Sequence, residues 1–196
     1  MKINQVKLVN IKSYTEKSPE INFPEGTIAI IGPNGSGKST LFQAIGRVLY
    51  DYLPHGLLRI GEKQGVIKIQ FTGKDDKNYE VTQKIPGQIS LFDLDENTPI
   101  PARRAAVMDK LRYIIGLPPD IKSSILYSDA IGIPQGSITT PFTERAGIRK
   151  EKFDPLLGVD IYRIVFANTS GLSGYIQEKI FSVQKDVKSR EGEIAP

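Results

Sequence analysis

The sequence has no cysteine and a single histidine among its 196 residues. Without thiols there can be no disulfide and no thiolate-held metal, which suits a cytosolic protein. One histidine and no cysteine also remove most metal-ligand clusters and the nucleophile triads built on histidine. That histidine, His55, follows Pro54 at a helix end and reads as a surface or capping residue. Long apolar runs are missing as well. No stretch approaches the length of a membrane-spanning helix, and Met1-Lys2-Ile3-Asn4-Gln5 lacks a signal-peptide pattern, so no membrane partner and a cytoplasmic location are expected. Neither sign of charge dominates: 26 basic against 22 acidic residues leave a net charge of +4, compatible with a nucleic-acid surface without demanding one. No internal repeat or low-complexity tract interrupts the chain.

The chain is organised around the stretch Thr27-Ile28-Ala29-Ile30-Ile31-Gly32-Pro33-Asn34-Gly35-Ser36-Gly37-Lys38-Ser39-Thr40. An apolar run enters a glycine-rich loop and a helical sequence leaves it. The loop reads G-x-x-x-x-G-K-S, the P-loop pattern in its required strand-to-helix context. A triphosphate is densely anionic and needs many donors at short range. Glycines let backbone N–H groups approach it without a Cβ in the way, and the helix start aims its positive dipole end at the same anion. Asn34, Gly35, Ser36, Gly37, Lys38, Ser39 and Thr40 are therefore the expected nucleotide-binding residues. Lys38 is expected at the β- and γ-phosphates, the Ser39 hydroxyl on Mg²⁺, and Thr40 at the α-phosphate. ATP and Mg²⁺ are the expected cofactors.

Elsewhere the pattern is mixed. Alternation over residues 2–12 predicts a strand, and a second returns through Ile21 and Phe23 to a turn at Pro24-Glu25-Gly26. Thr27–Ile31 is expected to be a buried strand. Residues 39–53 carry apolar positions at helical spacing and stop at Pro54-His55-Gly56. Val66–Thr72 and Tyr79–Ile85 read as a hairpin, with a further short strand at Ile89–Phe92. Pro101–Gly116 reads as a helix, residues 121–128 as a short apolar element, and 129–141 as a loop holding Ile133-Pro134-Gln135-Gly136-Ser137. From Thr143 the chain is helical again, with breaks expected near Pro155 and Gly158. Ile176, Ile180, Val183 and Val187 form an a/d-like stripe, as in a coiled coil or a packed surface helix. The basic residues Arg103, Arg104, Lys110, Arg112, Arg145, Arg149, Lys150 and Lys152 could track phosphates or could be solvated helix surface. Spacing does not choose between the two.

Several motifs together resemble one family. The P-loop sits early, after Asn10-Ile11-Lys12-Ser13-Tyr14. It has the form Gly-Pro-Asn-Gly-Ser-Gly-Lys-Ser-Thr and is followed by Leu41-Phe42-Gln43-Ala44-Ile45. Gln135-Gly136 lies far downstream, followed by Phe153-Asp154-Pro155-Leu156-Leu157-Gly158-Val159. The chain resembles the N-terminal half of an SMC-like ABC ATPase head, most closely the SbcC/Rad-fifty branch that acts in DNA double-strand-break repair. The insertion around residues 86–110 departs from that pattern.

The resemblance implies an α/β P-loop NTPase fold: the N-terminal lobe of an ABC-type head over residues 1–170, with a flanking antiparallel β layer, and the root of a coiled-coil arm over 171–196. It implies that Gln135 is the Q-loop glutamine, completing the Mg²⁺ shell with Ser39. Lys12 and Ser13 are placed near the base and α-phosphate, and Arg59 at a loop arginine that touches nucleotide or DNA. Hydrolysis in such enzymes needs an Asp-Glu at a strand end and a Leu-Ser-Gly-Gly-Gln signature. Neither is found, and Leu172-Ser173-Gly174-Tyr175-Ile176-Gln177 only imitates the start of the signature. No complete catalytic set is therefore expected in this chain. The implied partners are the C-terminal half of the same ATPase, a second head in a homodimer, a nuclease subunit and DNA. The location would be nucleoid-associated in a prokaryote. Open alternatives are another SMC, RecF or RecN-type head, a nucleotide-binding subunit of an ABC transporter, and an ATP-gated binding module without turnover.

Overall fold

The computed structural model describes residues 1–100, 103–118, 121–132 and 143–194. The chain divides into two compact units, Met1–Thr143 and Glu144–Pro196. Gln135 lies outside the described residues.

The first unit is built on a six-stranded sheet whose strands all pair antiparallel: β1 (Lys2–Val9), β2 (Ile21–Asn22), β3 (Gly65–Thr72), β4 (Asn78–Ile85), β5 (Ile89–Asp93) and β6 (Thr98–Ile100), in the order β2-β1-β3-β4-β5-β6. Side chains alternate faces along a strand, so register decides what the buried face carries. Val6 opposes Ile69, Ile69 opposes Val81, and Val81 opposes Leu91, giving one apolar row across four strands. Helices α1 (Lys38–Leu49) and α2 (Arg104–Ile115) complete the core with Leu41, Ala44, Val48 and Leu49 from α1 and Val107, Leu111 and Ile114 from α2. The segment 86–110, which departs from the family pattern, extends the sheet through β5, expected from its sequence, and β6, which was not, and begins α2. Pro99 in β6 has no N–H to offer a further strand, which blunts that edge. A short helix α3 (Ser123–Leu126) runs into a π-turn at Tyr127–Ile131.

One expected element differs. Thr27–Ile31 is neither a strand nor buried: Ile28 is exposed, and Ile31 is 91% exposed. A strand needs hydrogen-bonded neighbours, and among the described residues none pairs with this run. Its apolar composition predicts a sheet interior that these residues do not supply.

The second unit contains α4 (Ala146–Leu157) and α5 (Asp160–Ile194), which is 35 residues long. α4 continues past Pro155 and stops at Gly158, whose φ of +65° favours glycine. The imitation signature Leu172–Gln177 lies inside α5, and Ile176, Ile180, Val183 and Val187 are exposed along it. Among the described residues no helix is long and apolar enough to cross a membrane.

Candidate nucleotide site

The loop between Ile31 and α1 turns through two left-handed glycines, Gly35 (φ +81°) and Gly37 (φ +99°), the latter capping α1. A residue with a Cβ is strained at either position. Lys38 opens α1, and its ammonium folds back to donate to the carbonyl oxygens of Gly32 (2.7 Å) and Pro33 (2.8 Å). The Ser39 side chain is exposed beside it, whereas Thr40 is buried under the helix start. Asn34 and Ser36 are exposed on the loop, and the Ser36 N–H donates to Pro33 O at 3.3 Å. The geometry is that of an anion cradle: backbone N–H groups at a helix N-terminus with an ammonium at its lip.

Residues 12–14 cross this loop as a strap. Lys12 Nζ donates to Gln43 Oε1 on α1 at 2.7 Å, Ser13 Oγ to Gly35 O at 3.1 Å, and the Tyr14 hydroxyl to Gly37 O at 3.3 Å. The strap is itself held from behind. The Lys12 N–H donates to Leu57 O at 3.0 Å, and the Arg59 guanidinium donates to Lys12 O at 2.9 Å. Lys12, Ser13 and Arg59 line one cleft of about 490 Å³ together with Gly56, Leu58 and Ile60. The sequence-derived candidates Lys12, Ser13, Gly35, Gly37, Lys38 and Arg59 thus form one connected region, with two residues that motif reading did not single out as ligands. These are Gln43, which receives Lys12, and Tyr14, whose phenol pKa is raised by burial. Tyr14 and Gly37 are 23 positions apart, and no local pattern announces their contact.

Not all of the basic residues form a free face. Arg104 donates to Asp51 and Gln83, and Arg112 donates to the carbonyls of Pro118 and Ile121. Lys110 stands over the Tyr113 ring with Lys74. Exposed His55 keeps its surface reading. Among the described residues no group of His, Asp or Glu could hold a metal by itself. The exposed Ser39 hydroxyl beside the loop is an oxygen donor of the type Mg²⁺ accepts.

A family model described as "AAA domain" matches residues 5–194. The chain belongs to this family. It is also similar to the DNA double-strand break repair Rad50 ATPase of Methanococcus maripaludis, at 30% identity over 168 residues, 83% of this chain and 16% of that protein. The Rad50 ATPase of Methanopyrus kandleri is 36% identical over 89 residues, 42% of this chain and 10% of that protein. The chromosome partition protein Smc of Bacillus subtilis is 25% identical over 209 residues, 100% of this chain and 17% of that protein. The chain therefore spans only a small part of the curated relatives it matches. A solved SMC head bound to the C-winged helix domain of ScpA has a TM-score of 0.58 at 25% identity, covering 86% of this chain and 55% of that one. A structure from work on ATP-driven dimerization and DNA-stimulated activation of SMC ATPases covers 80% of this chain and 99% of that one, with a TM-score of 0.57 at 24% identity. The chain resembles the N-terminal region of SMC and Rad50 ATPases in sequence and has the fold of the N-terminal lobe of an SMC head.

Proposed function

We propose that the chain binds Mg-ATP and forms the nucleotide-holding half of a DNA-repair ATPase head. The arrangement of the glycine loop and Lys38 at the start of α1 carries this reading. Asn34, Gly35, Ser36 and Gly37 offer backbone N–H groups to the phosphates. Lys38 exchanges its carbonyl partners for β- and γ-phosphate oxygens, Ser39 ligates Mg²⁺, and Thr40 supports the α-phosphate through its N–H. Lys12 and Ser13 border the base and α-phosphate. Arg59, held on the Lys12 carbonyl at the same cleft, contacts the nucleotide or DNA. Gln135 completes the Mg²⁺ shell and senses the γ-phosphate.

In this reading the lobe covers residues 1–170, and 171–196 is the root of an arm. The exposed apolar run Thr27–Ile31 takes its strand partners from a complementary C-terminal half, which also brings the Asp-Glu pair and the signature. Two such heads close on two ATP molecules. The γ-phosphate then acts as a switch that favours the closed pair, and closure controls DNA binding and a partner nuclease.

The test is Mg-ATP turnover by this chain alone and mixed with the C-terminal segment of the same gene, with Lys38→Ala as control. Activity that appears only on mixing and disappears in the control is the expected result. Turnover by the chain alone would overturn the divided site. Tight ATP binding with no turnover in either case would leave an ATP-gated module and remove the enzyme.

A further inference from the structure

We infer that Tyr14 is a positioning residue that sets the height and tilt of the phosphate-binding loop. This rests on the nucleotide reading of that loop and adds a residue to it. Gly37 is the hinge of the loop: its left-handed φ of +99° turns the chain into α1, so its orientation aims the first N–H groups of the helix. Tyr14 lies directly against that hinge. A Cβ built on Gly37 would come 2.8 Å from Tyr14 Cε2 and 3.1 Å from Cζ, so the Tyr14 ring occupies the space a side chain would take. The phenol then donates to the Gly37 carbonyl at 3.3 Å. One residue supplies both a steric floor and a polar tether to the same peptide.

The ring is itself fixed. The Tyr14 N–H donates to Ile11 O at 2.8 Å, and the Ile11 N–H donates to Tyr14 O at 3.1 Å, closing a tight turn whose first residue, Ile11, is fully buried. Ser13, within that turn, tethers Gly35, the other left-handed glycine. Two of the loop's carbonyls, those of Gly35 and Gly37, are thereby pinned from outside. A loop so held loses less freedom on binding phosphate, which is the physical basis of preorganisation. Tyr14 touches the loop and not the phosphates, so its contribution scales with how many phosphates the loop must hold.

The experiment compares binding of fluorescent mant-ATP and mant-AMP to the full chain and to its Tyr14→Phe, Tyr14→Leu and Tyr14→Ala variants, with active fraction taken from titration stoichiometry. The ATP-to-AMP affinity ratio is expected to fall about tenfold in Tyr14→Ala, less in Tyr14→Leu, and under about threefold in Tyr14→Phe, which keeps the floor and loses the tether. A purely structural residue would reduce the active fraction and leave that ratio unchanged. An unchanged ratio in Tyr14→Leu, and in Tyr14→Ala where it folds, overturns the inference while the nucleotide reading stands. Failure of the parent chain to bind mant-ATP overturns both. Should Tyr14→Ala fail to fold, the Leu and Phe variants still decide the matter.

Discussion

The Lys38 ammonium rests 2.7 Å from the carbonyl oxygen of Gly32, folded back over the loop that leads into its own helix. These are exposed contacts, so they contribute little to folding, yet the same N–H groups are the ones a triphosphate would take. Charge-assisted hydrogen bonds contribute about 1.5–3 kcal/mol each. Lys38→Ala is therefore expected to weaken ATP binding by about 10–100-fold, measured by fluorescent-nucleotide titration, while urea unfolding shifts by less than about 0.5 kcal/mol.

Arg104 joins three elements: its guanidinium donates to Asp51 beyond α1 at 2.5 Å and to Gln83 Oε1 on β4 at 3.2 Å. The ion pair is half-exposed, and such pairs contribute about 0–1 kcal/mol. Gln83 is different, because it is 1% exposed within an otherwise apolar row. Removing its charged donor leaves a buried acceptor unmatched, a cost of about 1–3 kcal/mol. Arg104→Ala should therefore destabilise clearly more than Asp51→Ala in urea unfolding. Equal losses would show that the ion pair, and not Gln83, is the important contact.

Gly46 of α1 faces the ring of Tyr127, whose hydroxyl donates to Phe42 O at 2.5 Å. Alanine gains about 1 kcal/mol over glycine in a helix. Here the added methyl enters the ring, and overpacking of this kind costs about 1–3 kcal/mol. The collision should win, giving a net loss in thermal or chemical unfolding for Gly46→Ala. In a double-mutant cycle, Tyr127→Leu should recover part of that loss. Additive behaviour would argue against the contact.

Burial raises the Tyr127 pKa above its ordinary value of 10.0, with the neighbouring Tyr50 and Tyr52 adding to the shift, and burial raises Tyr50 as well. In the pH range just above 10 the unfolded chain loses these protons while the folded chain keeps them. The folded state then binds more protons, so stability falls as pH rises. Unfolding free energy should be flat with respect to these groups below about pH 9 and decline above pH 10. Tyr127→Phe should flatten the decline, and an unchanged slope would show that other groups carry it.

Much of the site was legible because it is local. The glycine spacing, Lys38 and the helix that follows are neighbours in sequence, so the loop's shape and the start of α1 could be read directly. The hairpin of β3 and β4 was legible for the same reason. The misreading of Thr27–Ile31 has a physical cause: five apolar residues report a preference for burial but not who provides it. Within the segment 86–110 only β6 escaped the sequence pattern, because it is short and contains Pro99, and only pairing with β5 makes it a strand.

By itself, then, the sequence determined the loop, its charge, the start of α1 and the exclusion of thiol chemistry, since each depends on residue type and near neighbours. Tertiary structure alone decided that Lys12, Ser13 and Tyr14 form a strap over that loop and that Arg59 backs it. It also decided that Gln83 can sit in an apolar row because Arg104 reaches it. These contacts join positions 21 to 47 residues apart, where register and packing, not local preference, set the distances.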